Sequence, residues 1–429
     1  MIHPLAAMAL VVAALAGLMG ALRFWQVRFS PHPELARKLV HVGMGLVCLS
    51  FPWLFDSPWP VFALAALAVG GLLALRHTPV AGVLHAVGRE SLGEIYFPIA
   101  VAAVFYLSQG VAVLYTVPIL LLTLADALAA LIGVRYGMVK FETFQGGSKS
   151  LEGAVAFFTV AFLCTHLTLL LTTHVERVET LLIGLEIGFL VMLVELVAWR
   201  GLDNLLIPLF SFALLYNIEY LQAAQLANRL VVLGLVCGFV ALWRRRTTLD
   251  VGALLCAVLV SYIIWALGGL RWLGPPVACF ATYSLLWPHD RRERPPVHDL
   301  RAVLSFSAVG VFWLYAGVRY AQQDWLYLGT VAFAVQLAVI GCASGGALWR
   351  CLLAGWIVPF LPYLALYGFD PHELRMAAWA LPAVAAGLAC FAFGRRFIRE
   401  IYSTERWLLQ SGSSAVGSLV ALVPWSFAK

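Results

Sequence analysis

Charge is scarce in this chain. Of 429 residues only 12% are Asp, Glu, Lys or Arg, whereas 62% are hydrophobic and the mean hydropathy is +0.90. That composition excludes an ordinary soluble domain. Paired cysteines are also missing. The eight that occur are scattered singly, with no CxxC and no Cys/His ligand spacing, so they form no zinc or redox motif and read as small apolar fillers. No short-period tandem repeat, heptad run or low-complexity tract is present, which leaves neither a solenoid nor a coiled coil to expect. The first apolar run, Leu5–Leu22, has no basic stretch before it and no clear small-residue cleavage site. It is expected to stay as an anchor.

What the chain has in abundance is long apolar runs. A helix needs about 20 such residues to cross a bilayer, and enough follow one another for about 14 spans. The expected fold class is therefore all-α, a polytopic transmembrane helical bundle. Lys and Arg collect in short connections, at Arg23/Arg28/Arg37/Lys38, Arg135/Lys140/Lys149, Arg244/Arg245/Arg246, Arg291/Arg292/Arg294/Arg301 and Arg395/Arg396/Arg399. Cytoplasmic loops carry that excess, which places all five clusters on the cytoplasmic side. The net charge of +6 then reflects contact with anionic membrane lipids and calls for no nucleic-acid partner. A polar stretch after Tyr220, LQAAQLANR, separates a first part, residues 1–222, from a second, residues 223–429.

Four polar constellations interrupt the apolar background, all in the first part. Arg37-Lys38-Leu39-Val40-His41 sets two cations and an imidazole at i, i+3 and i+4 spacing on one helix flank, a point suited to an anionic phosphate. Taken alone, Arg37 and Lys38 equally suit simple interfacial anchors. Arg89, Ser91, Gly93, Tyr96 and Pro98 form a polar loop running into a span. Irregular backbone at membrane depth is tolerated only inside protein or beside a polar cavity, so these residues are candidates for a substrate pocket; a cytoplasmic turn with Pro98 near a helix start is the plain alternative.

The third constellation is the most informative. Asp126 lies late in the apolar run TVPILLLTLADALAALIGV, where a charged carboxylate costs about 2.5–3.5 kcal/mol to insert. Downstream come Arg135, Gly146-Gly147-Ser148-Lys149-Ser150 and Glu152, with a helix expected from about Leu151. Exposed N–H groups at a helix N-terminus beside a lysine make a phosphate cradle, and a carboxylate together with phosphates is how Mg²⁺ is held. The loop is not a Walker A motif, because the glycine required before Lys149 is Ser148 and no strand is expected before it. An ordinary loop with Ser150 capping a helix and Asp126 paired to an arginine is the bland account. Last comes Glu195 with Asp203-Asn204, of which Asp203 and Asn204 offer oxygen ligands or, equally, helix N-caps.

The order RKLVH, then Arg-x-Ser-x-Gly with Tyr-x-Pro, then AD-x-x-A-x-x-x-G-x-x-x-G and KSLEG, then Asp-Asn and Pro resembles the phytol kinase and dolichol kinase family of polytopic enzymes, relatives of the phosphatidate cytidylyltransferases. The resemblance covers about residues 20–220. It implies transfer of the γ-phosphate of CTP, or another nucleoside triphosphate, to the hydroxyl of a long-chain isoprenoid alcohol such as phytol, geranylgeraniol or a polyprenol, in a site facing the cytoplasm. It further implies Asp126, Lys149 and His41 in catalysis. Arg37, Lys38, Arg135, Gly146, Gly147, Ser148, Ser150 and Glu152 would bind nucleotide phosphates, and Asp126, Asp203 and Asn204 would hold Mg²⁺. The second part is similar to a family that includes a plant phytyl-phosphate kinase, but FAVQLAVIGCASGG (Phe333 to Gly346) carries no acid where that family has an Asp-Thr…Glu element, and QSGSS (Gln410 to Ser414) stands where it has Asn-Gly-Gly. It is expected to be a degenerate, non-catalytic module. A cytidylyltransferase making a CDP-lipid and an ion-coupled transporter are the competing functions; the KSLEG loop favours the kinase, and a transporter would spread its acids over both halves.

Overall fold

A computed structural model describes residues 3–75, 92–144, 147–286, 298–398 and 403–428. Almost all of them are helical. Eleven helices are long and apolar enough to cross a membrane, and three shorter apolar helices accompany them among the described residues. The chain is a multi-pass integral membrane protein with an all-α bundle fold, as its composition requires. It divides into two compact units, Met1–Val231 and Val232–Lys429.

The first unit contains α1 (Pro4–Phe29), α2 (Pro33–Leu49), the single turn α3 (Phe51–Leu54), α4 (Trp59–Leu75) and α5 (Gly93–Leu107). A long helix follows in three pieces: α6 (Ala112–Leu120), a π-helical turn (Leu121–Ala125) and α7 (Asp126–Tyr136). Next come a hairpin of β1 (Lys140–Thr143) and β2 (Gly147–Ser150), then α8 (Leu151–Thr172), α9 (Arg177–Val197) and α10 (Asp203–Ile218). The hairpin is the one departure from helix that sequence reading treats as plain loop. Its antiparallel register pairs Phe141 with Lys149 and Lys140 with Ser150. Pro98 also differs from its plain reading, lying inside α5, which begins at Gly93.

Lipid offers no hydrophobic drive for helix association, so close backbone approach supplies much of the cohesion. Gly153 on α8 is such a contact. A Cβ there would sit 2.9 Å from the carbonyl oxygen of Ala129 and 3.3 Å from the Cα of Gly133, both on α7. Both obstacles are backbone, so Gly153→Ala must push α7 from α8. We expect it to cost about 1–3 kcal/mol, read as a lower melting temperature of the detergent-solubilised protein; an unchanged melt would show the contact to be slack.

The second unit is built by α11 (Ala223–Trp243), within which the division falls, with α12 (Val251–Leu286), α13 (Leu300–Arg319), α14 (Leu326–Ala343), α15 (Leu348–Tyr367), α16 (Pro371–Gly394) and α17 (Thr404–Ala428). At 36 residues α12 would be about 54 Å long at 1.5 Å per residue, and its backbone breaks at Gly269 into two legs. Helix α14 is buried on nearly every face, which is where a helix apolar all round belongs. Neutral hydrogen bonds lock it. Gln336 Nε2 donates to the Ser305 carbonyl at 2.8 Å, Gln410 Nε2 to Gln336 Oε1 at 2.7 Å, and Ser414 Oγ to the Ala332 carbonyl at 2.8 Å.

Candidate active site

Alternating helix directions bring C-terminal and N-terminal ends together on one side of the first unit. The C-terminal ends of α1, α4, α7 and α9 and the N-terminal ends of α2, α5, α8 and α10 supply Arg23, Gly71, Gly133, Glu195, Lys38, Glu94, Ser150 and Asp203 to the lining of one cavity of about 2,010 Å³. Residues up to 180 positions apart in sequence, Arg23 and Asp203, therefore line one cavity through topology alone.

At its centre Lys38 Nζ and Asp126 Oδ2 form an ion pair at 2.6 Å, with the two residues 3% and 4% exposed. Two local features produce it. The π turn adds a residue between α6 and α7 and so rotates Asp126, its first residue beyond, onto the face that meets α2; such turns recur at functional sites. Gly45 lets α2 come close: a Cβ there would lie 2.0 Å from Thr123 Oγ1, in the π turn. His41 Nε2 lies 2.8 Å from the Leu122 carbonyl oxygen and 3.5 Å from Asp126 Oδ2, its ring edge-on to Phe97 at 5.1 Å. A carbonyl only accepts, so Nε2 carries the hydrogen. A further rung, Tyr115 OH to the Cys48 carbonyl at 2.9 Å, fixes α2 antiparallel to α6 and α7 along its length.

Sequence spacing groups Arg37, Lys38 and His41 on one flank, and the structure separates their tasks. Lys38 and His41 turn inward to Asp126, whereas the Arg37 side chain is 56% exposed and pairs with Glu34 at 2.6 Å. All three line the cavity. The partner of Asp126 is thus a lysine from α2, not an arginine.

On the opposite wall the hairpin presents Gly147, Ser148, Lys149 and Ser150 to the cavity. Lys149 Nζ donates to Glu195 Oε1 at 2.8 Å and also to the Glu195 carbonyl oxygen. The helix N-terminus beside it is closed by its own chain. Ser150 Oγ accepts from the Gly153 N–H at 3.1 Å, the Leu151 N–H donates to the Val139 carbonyl, and Glu152 accepts from the Val139 N–H at 3.2 Å. Two of the N–H groups expected to be open to a phosphate therefore already have partners.

Between α9 and α10 the chain reverses through Arg200, whose φ of 52° is unusual for a residue with a side chain, and the Leu92 N–H at the head of α5 donates to the Arg200 carbonyl at 3.1 Å. The turn delivers Asp203 and Asn204 to the cavity. Asp203 is not at the cap, where Leu202 stands, and among the described residues Asp203 Oδ1 is buried with no hydrogen-bond partner. The charges of Asp126 and Asp203 both act on Arg37 and on Glu195, so the carboxylates share one electrostatic environment.

Gly93 and Pro98 line the cavity as well. Arg135, Glu152 and Tyr96 do not appear in its lining; Arg135 is exposed and donates to the Tyr136 hydroxyl at 3.1 Å. Arg89, Ser91 and Gly146 lie outside the described residues. Sequence reading left out of the site Glu195, Glu94 and Glu34, all three in the cavity lining. Glu195 carried a signal, an acid near the end of an apolar run, but its partner Lys149 is 46 residues away and only the fold reveals it.

The chain is 31% identical over 191 residues to the phytol kinase of Synechocystis sp., a match covering 44% of this chain and 81% of that protein. It belongs to the phytol kinase family. No protein-family model matches the chain, and no solved structure matches it. More than half of this phytol kinase family member has no counterpart in that relative. The two units also differ in what they bury: the first holds Lys38, Asp126 and Glu186, whereas no Asp, Glu, Lys or Arg of the second is buried among the described residues. Glu186 pairs with Arg229 of α11 at 2.9 Å.

Proposed function

We propose that this protein transfers the γ-phosphate of CTP, or of another nucleoside triphosphate, to the hydroxyl of a long-chain isoprenoid alcohol such as phytol, geranylgeraniol or a polyprenol. The supporting observation is that one cavity joins two lysine–carboxylate pairs, Lys38–Asp126 and Lys149–Glu195, to a wall of apolar side chains. A charged nucleotide and a lipid alcohol both need a place in such a reaction, and this cavity offers each one. The relative's activity on phytol adds weight.

Phosphoryl transfer asks little covalent chemistry of a protein; positioning and charge neutralisation carry it. The alcohol oxygen bonds to the γ-phosphorus as the bond from that phosphorus to its bridging oxygen breaks; the nucleoside diphosphate leaves with that oxygen, and the hydroxyl proton passes to water. Lys38 and Lys149 supply cations to the phosphates from facing walls. Glu195 holds the Lys149 ammonium in place, and His41 braces α2 through Leu122 so that Lys38 keeps its depth. The donor set fits a magnesium ion: Asp203 Oδ1 is buried without a partner among the described residues, and Asp126, Asp203 and Asn204 are the hard oxygen ligands this ion takes. Among the described residues no three His, Cys, Asp or Glu side chains form a ready-made metal cluster, which suits Mg²⁺, since it takes one or two carboxylates and completes its shell with substrate phosphates and water. Once bound, it would neutralise the charge developing on the phosphate oxygens.

We place the site on the cytoplasmic side. In the first unit Arg23, Arg28, Arg37, Lys38, Arg135, Lys140, Lys149 and Arg200 lie at the cavity end, against Arg177 and Arg229 at helix ends on the other side, the asymmetry of cytoplasmic loops. The second unit, with neutral glutamines and serines in its core, we read as non-catalytic.

Transfer of label from γ-³²P CTP with Mg²⁺ to phytol, geranylgeraniol, farnesol and a polyprenol tests the reading. An organic-soluble monophosphate, absent with Asp126→Asn membranes, is the expected product. Release of pyrophosphate with a phosphorylated lipid instead would make the protein a cytidylyltransferase, and no reaction with any donor would reject the enzyme.

A further inference from the structure

We infer, resting on the kinase reading, that Phe144 and Trp199 seat the base of the nucleoside triphosphate. The cations hold the phosphates; this aromatic corner grips the neutral part of the donor.

Both residues line the cavity, and both are half-buried, so each keeps part of its ring open to it. They stand apart from the apolar wall. That wall comes mainly from α1, α2 and α4, whereas Phe144 directly follows β1 and Trp199 lies in the connection from α9 to α10. Their neighbours in the lining are polar, among them Lys140, Ser148, Lys149, Arg200 and Asn204. A pocket for phosphates alone gains nothing from two large rings set among its cations. A planar, uncharged base does.

The geometry suits a third ring. The two centroids are 5.3 Å apart and the planes stand at 80°. A base stacked flat on one ring is then edge-on to the other, and so meets both in arrangements that aromatic pairs prefer. The indole is held in advance, because the Leu202 N–H donates to the Trp199 carbonyl at 3.0 Å and closes the turn behind it. The spacing suits a nucleotide. Lys149 pairs with Phe141 across the hairpin, and Phe144 lies three residues further along, about 10 Å at about 3.3 Å per residue. On the facing segment Trp199 lies four residues beyond Glu195, the acid that holds the Lys149 ammonium. The corner and the cation are therefore separated by the reach of a ribose and its first phosphates.

The same contact also ties the hairpin to the α9–α10 connection, and a ligand with phosphates but no base separates the two roles. Calorimetric titration of the full-length protein in detergent with Mg²⁺ compares inorganic triphosphate with CTP, UTP and ATP. Trp199→Leu keeps apolar bulk against Phe144 and removes the ring. It should weaken the three nucleotides by about 30-fold, the scale of one base stack, and to a similar degree, since every base has a π-face. Triphosphate should bind as to the wild type. Trp199→Phe should restore most of the nucleotide affinity, and Phe144→Leu should show the same selectivity with a smaller loss. Equal weakening of triphosphate and nucleotides would show that the pair only props the hairpin and would overturn the seat, as would variants that bind every ligand normally. Selective weakening in a protein that phosphorylates no alcohol would keep the seat and reject the kinase. Phosphorylation without selective weakening would keep the kinase and overturn the seat, and a wild type that binds no nucleotide would overturn both.

Discussion

Asp126→Asn should lower phosphate transfer by about 10³-fold, as expected for removing a charged group from an electrostatic site, and it should also weaken the fold. The second effect comes from the partner that the fold gives Asp126. In the structure its Oδ2 lies 2.6 Å from Lys38 Nζ, and both residues are buried. Removing one partner of a buried pair leaves an uncompensated charge and costs about 3–5 kcal/mol. Replacing both partners with apolar groups avoids that penalty. The double variant Lys38→Met with Asp126→Leu should therefore recover most of the melting temperature lost by Asp126→Asn, yet stay inactive. Melting curves in detergent and initial rates, taken on the same preparations, separate the two effects. Wild-type turnover in Asp126→Asn would remove Asp126 from the site.

Lys149→Ala should reduce kcat by about 10²-fold and raise KM for the nucleotide, because a preorganised cation opposite developing negative charge is lost. Its stability cost should be small. The Lys149 side chain is 21% exposed, so water can reach Glu195 once the ammonium is gone. Glu195→Gln keeps Lys149 but loosens its hold, and we expect a smaller loss of kcat with KM for the alcohol unchanged, as befits a positioning residue. Lys149→Ala at full rate would show that the hairpin does not contact the reacting phosphates.

The bundle was legible because its signals are local. Apolar runs of crossing length mark the spans, and Ser150 before an apolar run announces the start of α8. The hairpin was missed for the same reason: strands of four residues, KFET and GSKS, are set by pairing with each other and are too short to carry a pattern of their own. The π turn is likewise silent in sequence, since LLTLA is as apolar as its neighbours. Asp203 shows the limit for single residues. An acid opening a helix reads equally as a cap or a ligand, and only its position after Leu202, with Oδ1 buried and without a partner among the described residues, separates the two.

By itself the sequence determined that this protein lives in a membrane, which helices it has, and which residues are costly enough to demand partners, because hydrophobicity and charge act on each residue where it stands. The tertiary structure decided who those partners are. Lys38 with Asp126 and Lys149 with Glu195 are separated by 88 and 46 positions, distances over which sequence pattern carries no information. Alternating helix directions, one extra residue in a turn and a glycine that lets two helices touch bring them within hydrogen-bond reach, and the cavity they line exists only once the helices of the first unit have packed.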